Sequence, residues 1–168
     1  MKLISLDPSS THTGVAIWSV NDDWTVPILV HRETIVPEGD TEDEKNLGLA
    51  AQVVETSHRF ACETAVLERY SPVNFGKARR GMDIYKRAVD AVRLALVREL
   101  GPDNVYGVVP QTWKGSHKKK DTIRMVNDKF NLGLRAKDEH EADAIGVGLW
   151  FIHRMSFNPI PPIGRCTL

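Results

Sequence analysis

Two acids in this sequence stand where a short apolar run stops. Asp7 ends Leu3-Ile-Ser-Leu6, and Glu68 ends Thr64-Ala-Val-Leu67. A carboxylate beside a core strand is costly unless it meets a metal, a cation or a hydrogen-bond network. Taken alone, Asp7 would equally serve as a cap on its own turn, so what matters is whether other acids converge on it. Near the C-terminus, Asp138-Glu-His-Glu-Ala-Asp143-Ala144 opens an apolar helix through Ile145, Val147, Leu149 and Ile152. At about 100° per residue, His140, Asp143, Ala144, Val147 and Phe151 fall on one stripe, and His140 and Asp143, one turn apart, point together. Asp138 and Glu141 lie on another side, at the spacing of an N-cap acid and its capping-box partner, and Glu139 reads as solvated.

A His and an Asp at i, i+3 are more often surface residues than ligands; the conjunction changes that reading. Two strand-end acids and a His/Asp pair at an inward helix start aim three independent elements at one core boundary. Hard divalent ions such as Mg²⁺ and Mn²⁺ take carboxylate oxygens and leave positions for water and phosphate. Two such ions about 4 Å apart can stabilise both the attacking and the leaving oxygen of an in-line phosphoryl displacement.

The stretch Leu6-Asp7-Pro8-Ser9 through Thr13-Gly14, the Val66-Leu67-Glu68 strand end and the helix start His140-Glu-Ala-Asp143-Ala144 resemble the three motifs of the RuvC family of Holliday-junction resolvases. The resemblance covers nearly the whole chain, in the same order. It implies an RNase H-like fold, a homodimer and metal-dependent cutting of four-way DNA junctions by a tetrad of Asp7, Glu68, His140 and Asp143, with two Mg²⁺ ions per site and Mn²⁺ able to substitute. Many members carry Asp where His140 stands and others carry His; imidazole, the softer ligand, tilts the site toward Mn²⁺. The family's usual glycine after Asp-Pro is Ser9 here.

At 168 residues and 42% hydrophobic content, the chain is expected to form one nuclease domain over 1–157 with residues 158–168 as an extended tail. Cys62 and Cys166 lack framework or metal-ligand spacing, which points to free thiols and a reducing compartment. No targeting segment and no run of about 18 apolar residues is visible, so a cytoplasmic location, or a host cytoplasm for a viral source, and no membrane partner are expected.

The formal charge is zero, whereas a DNA binder often shows a basic total. Its distribution is uneven. Cations gather in Lys77, Arg79 and Arg80, in the loop after Glu68 with Tyr70 and Phe75 interleaved, which combines phosphate contacts with stacking surfaces. A second group, Lys114, Lys118, Lys119 and Lys120, follows the strand Val105 to Val109. Lysines at a helix start oppose the helix dipole, which makes phosphate a candidate partner; a solvated turn is the plain alternative.

To position these residues the periodicity predicts strands over about 2–6, 14–20, 25–36, 64–68 and 105–109, and helices over about 43–62, 81–100, 121–130 and 139–155. The first helix carries Leu47, Ala50, Ala51, Val54, Ser57 and His58 near one face. The helix from Gly81 to Leu100 is apolar on two sides, one of which the resemblance assigns to the dimer interface. A three-stranded meander followed by alternating helix and strand gives an α/β fold, an RNase H-like mixed five-stranded sheet flanked by helices. Three other readings start from the same residues. A nuclease on this scaffold acting on RNA or RNA–DNA hybrid is opposed by the basic-aromatic loop after Glu68. An actin- or sugar-kinase-like ATPase needs a second glycine loop and greater length, and a binding module with a decayed site needs at least one ligand missing.

Overall fold

The computed structural model describes residues 1–70, 79–116 and 118–163, without the side chains of residues 79–81 and 119. Five strands, β1 (Lys2–Asp7), β2 (Thr13–Val20), β3 (Pro27–Ile35), β4 (Thr64–Glu68) and β5 (Val105–Val108), form one sheet in the order β3-β2-β1-β4-β5. The pairs β1–β2 and β2–β3 are antiparallel, and β1–β4 and β4–β5 are parallel. The helices are α1 (Glu42–Arg59), α2 (Arg79–Leu100), α3 (Pro110–Lys114), α4 (Lys119–Phe130) and α5 (Glu139–Phe157). This is the expected mixed five-stranded sheet flanked by helices.

The central strands read as continuous apolar runs because both faces of the sheet are covered. Strand alternation deals their side chains to two cores. Ile4, Leu6, Ala65 and Leu67 face Leu49 and Val53 of α1 and Val92 and Leu96 of α2. Leu3, Val66 and Trp18 face Ala144, Ile145, Val147 and Phe151 of α5. Ser5 fixes α5 to that second face: its hydroxyl lies 2.8 Å from the carbonyl oxygen of Ala144 and accepts from the Trp18 indole N–H at 2.9 Å.

Several features depart from the periodicity reading. In α1 the inward face is Asn46, Leu49, Ala50, Val53, Thr56 and Ser57, while Leu47 is 71% exposed. The two faces carry similar apolar content, and the hydrogen bond from Thr56 to Glu33 of β3 at 2.9 Å belongs to the face that packs. The segment after β5, to which the periodicity assigns no element before 121, begins with α3. Residues 158–163 run without helix or strand but do not leave the domain: Ile160 and Ile163 pack on the two cores, and the Ile163 N–H donates to Val105 of β5 at 2.8 Å. Among the described residues no helix is long and apolar enough to cross a membrane.

Candidate active site

Strand parity puts the two strand-end acids on one face. In β1, residues 3, 5 and 7 point toward α5, as do 64, 66 and 68 in β4. The parallel register pairs Leu6 with Leu67, so Asp7 and Glu68 stand side by side at the carboxyl ends of neighbouring parallel strands, the edge at which open α/β sheets bind ligands. Both are nearly buried, Asp7 at 7% and Glu68 at 9% exposure.

The N-terminal turn of α5 closes the site from above. Asp7 pairs across the sheet with Gly14, and a Cβ on Gly14 would fall 1.8 Å from the carbonyl oxygen of His140. Only a glycine lets α5 start this close to the sheet. As a result His140 Nδ1 lies 2.7 Å from Asp7 Oδ2, and Asp143, 6% exposed, is turned inward one helical turn later. His140 thus meets Asp7, Glu68 stands on the neighbouring strand, and Asp143 is near enough for its charge to act on Glu68.

The neighbours of the tetrad differ from expectation. Glu141 is not a capping-box partner of Asp138: it reaches across to β3, where it meets Arg32 and accepts from the Thr34 hydroxyl at 3.2 Å. Asp138 makes no side-chain cap for α5 and instead accepts from the Arg135 N–H at 2.8 Å, closing the preceding 3-10 turn. This leaves the first turn of α5 held to the sheet by side-chain contacts from β1 and β3.

Two residues of α3 complete the site. The Trp113 indole N–H donates to Glu68 Oε2 at 2.7 Å, and Lys114 Nζ lies 2.6 Å from Asp143 Oδ2. Trp113 escaped the sequence reading, although the signal was there: Pro110 sits at the first helical position and Gly115, with φ of 57°, just past the last, the usual punctuation of a helix. Lys114, read as a phosphate contact, is engaged with Asp143 and its side chain is only 14% exposed.

Burial dominates the electrostatics, and charge crowding adds to it. Burial, reinforced by the negative charges of Asp7 and Asp143, pushes the Glu68 carboxyl up to about 8, against the lowering effect of Trp113 and Lys114. Tyr85 of α2 feels the same field: burial, then Glu68 and Asp7, raise its hydroxyl above the ordinary phenol value. Among the described residues no three His, Cys, Asp or Glu side chains stand ready to grip an ion; one oxygen each of Asp7, Glu68 and Asp143 is engaged by His140, Trp113 and Lys114.

Of the other residues read as nucleic-acid contacts, Tyr70, Lys118 and Lys120 fall within the described residues with their side chains. Tyr70 is half-buried against the α1–α2 core, with Lys86 Nζ 5.4 Å from its ring centre. Lys118 and Lys120 are exposed, and Asp121 accepts from the Lys118 N–H at 3.1 Å, placing an acid in the first turn of α4 beside the lysines. Phe75 and Lys77 lie outside the described residues, as do Cys166 and the side chains of Arg79, Arg80 and Lys119. A groove of about 1110 Å³ runs between α4, α5 and the β2–β3 hairpin, and Trp113 and Lys114 are among its lining residues.

No family model matches the chain, and no curated protein matches it. Solved structures do. Thermus thermophilus RuvC in complex with Holliday junction substrate superposes with a TM-score of 0.77 at 23% identity, over 97% of this chain and 100% of that one. The yeast mitochondrial Holliday junction resolvase gives 0.64 at 15% identity, over 92% and 78%. Fowlpox virus resolvase with substrate Holliday junction DNA gives 0.58 at 17%, over 92% and 99%. The chain has the fold of the RuvC-type resolvases.

Proposed function

We propose that this protein is a metal-dependent endonuclease that cleaves four-way DNA junctions by phosphodiester hydrolysis. What supports this reading is that Asp7 and Glu68 stand side by side at the carboxyl edge of the parallel strands, with His140 of α5 2.7 Å from Asp7 and Asp143 one turn further along the same helix. The solved structures that share the fold over nearly the whole chain include two bound to Holliday junction DNA.

The donor set fits a divalent cation. Three carboxylates and an imidazole are hard-to-borderline ligands suited to Mg²⁺ or Mn²⁺, and Glu68, raised first by burial and then by the charge of Asp7, is a buried acid whose ionised form a cation would favour. Asp7, Glu68, His140 and Asp143 would hold the ions, two per site. When bound, such ions supply positive charge to the attacking and leaving oxygens of the phosphodiester. The protein's part is to keep the acids buried and close, to hold Asp7 through His140, and to keep Asp143 beside the Lys114 ammonium, which can turn to a phosphate once the acid is otherwise engaged.

On the same reading Lys77, Arg79, Arg80, Lys118, Lys119 and Lys120 contact the DNA backbone. Tyr70 and Phe75 flank the opened junction centre, where a stacked base is worth roughly 1–3 kcal/mol. Two protomers associate through α2 so that each cuts one strand. Its inward residues, Ala88, Val89, Val92 and Leu96, face the sheet, while Ile84, Ala91, Leu94 and Ala95 form a second apolar stripe, with Leu94 57% exposed.

The deciding experiment is incubation with a four-way junction, a linear duplex and an RNA–DNA hybrid, each under Mg²⁺ and Mn²⁺. Preferential cutting of the junction is expected. Preferential cutting of the hybrid would replace this reading with a ribonuclease one.

A further inference from the structure

A two-residue clamp from α3 spans the site. Trp113 donates its indole N–H to Glu68 Oε2 at 2.7 Å, and the next residue, Lys114, approaches Asp143 Oδ2 to 2.6 Å. The two acids lie on different elements, β4 and α5, so this five-residue helix couples them. The indole is fixed in turn. Gly146 of α5 faces it without a side chain: a Cβ there would lie 2.5 Å from the Trp113 ring. Lys114 Nζ stands over the ring, 5.0 Å from its centre. A large, rigid donor has thus been given a tailored niche one hydrogen bond from a buried carboxylate.

We propose that Trp113 is a positioning residue: by holding Oε2 of Glu68 at 2.7 Å it fixes the carboxylate plane and leaves Oε1 for an ion shared with Asp7 of the neighbouring strand. This role rests on the metal-site reading above. A buried carboxylate without that tie has no fixed orientation, and a ligand that must be oriented at the moment of binding holds an ion less well. Partners that orient metal ligands typically account for 10–100-fold in metal affinity. Ring packing alone would act on stability and leave ion affinity unchanged.

The test uses Trp113→Phe, which keeps an aromatic ring for the niche and deletes the N–H, together with Glu68→Gln, the double variant and Gly146→Ala. Mn²⁺ affinity is measured on the full chain without DNA, by paramagnetic resonance of the free ion, and melting is followed in EDTA. The expected result is Mn²⁺ binding about 10–100-fold weaker for Trp113→Phe, with melting in EDTA little changed. In the Glu68→Gln background Trp113→Phe should weaken binding no further, because Trp113 acts through Glu68. Gly146→Ala, by displacing the ring, should reproduce the loss.

Wild-type Mn²⁺ affinity in Trp113→Phe, an equal loss in the Glu68→Gln background, or a Trp113→Phe chain that no longer folds would each overturn the role. A wild-type protein that neither binds Mn²⁺ nor cuts DNA would refute the nuclease reading and this role together. Mn²⁺ binding by the wild type with an unaffected Trp113→Phe would refute this role alone.

Discussion

Gly14 of β2 and His140 of α5 approach so closely that a methyl group on Gly14 would overlap the His140 carbonyl, 1.8 Å away. The obstacle is backbone, which cannot rotate aside, so relief requires moving the start of α5. Overpacking of this kind costs typically about 1–3 kcal/mol, and the displaced turn is the one that delivers His140 and Asp143. Gly14→Ala should therefore lower the melting temperature modestly and abolish cleavage. Full activity in that variant would show that α5 can retreat without disturbing the site.

The acids should be separable from binding. Asp7→Asn, Glu68→Gln and Asp143→Asn are each expected to reduce cleavage below detection while leaving junction affinity, measured by gel shift in EDTA, within a fewfold of wild type. Near-wild-type cutting by Asp7→Asn would contradict the metal reading at its centre.

His140 and Asp7 meet at 2.7 Å, which gives His140→Asp two consequences. The new carboxylate would stand against Asp7, so melting in EDTA should fall and added Mg²⁺ should restore it. Cleavage should persist, with Mg²⁺ gaining on Mn²⁺ because the ligand is harder. A folded but inactive His140→Asp protein in both metals would assign the imidazole a task that carboxylate cannot perform.

Glu68 makes stability depend on pH in a direction opposite to that of a salt-bridged acid. Its carboxyl is raised from 4.5 to about 8, chiefly by burial and then by Asp7. Between those values the folded protein holds a proton that the unfolded chain has released, so stability falls as pH rises through the window. In EDTA the melting temperature of wild type, relative to Glu68→Gln, should decline from about pH 5 to about pH 8. Metal binding requires the ionised carboxylate, so Mn²⁺ affinity should rise over the same interval. A wild-type and Glu68→Gln difference that is flat in pH would disprove the assignment.

Association through α2 is expected to be isologous. Leu94→Glu places a charge on the exposed apolar stripe and should convert a dimer into a folded monomer that binds junctions but no longer makes paired cuts. Sedimentation of the wild-type protein as a monomer at micromolar concentration would remove α2 as an interface.

The four candidate residues could be picked out in the chain because position and helical period single them out. Each apolar run ends in an acid, Asp7 and Glu68, and a helical repeat puts His140 and Asp143 on the stripe of Ala144, Val147 and Phe151, a local consequence of backbone geometry. That the two acids share a face was decided by the parallel register of β1 and β4. The partners of the tetrad are not local. Trp113 reaches Glu68 across 45 positions and Arg32 reaches Glu141 across 109, and no spacing rule encodes such encounters. For the same reason Glu141, at capping-box distance from Asp138, bonds to β3 instead, and α1 buries Leu49 and Val53 while exposing Leu47. Where two helix faces or two hydrogen-bond partners are close in local energy, the choice falls to long-range packing, which exists only once the sheet has brought α1, α3 and α5 to its faces.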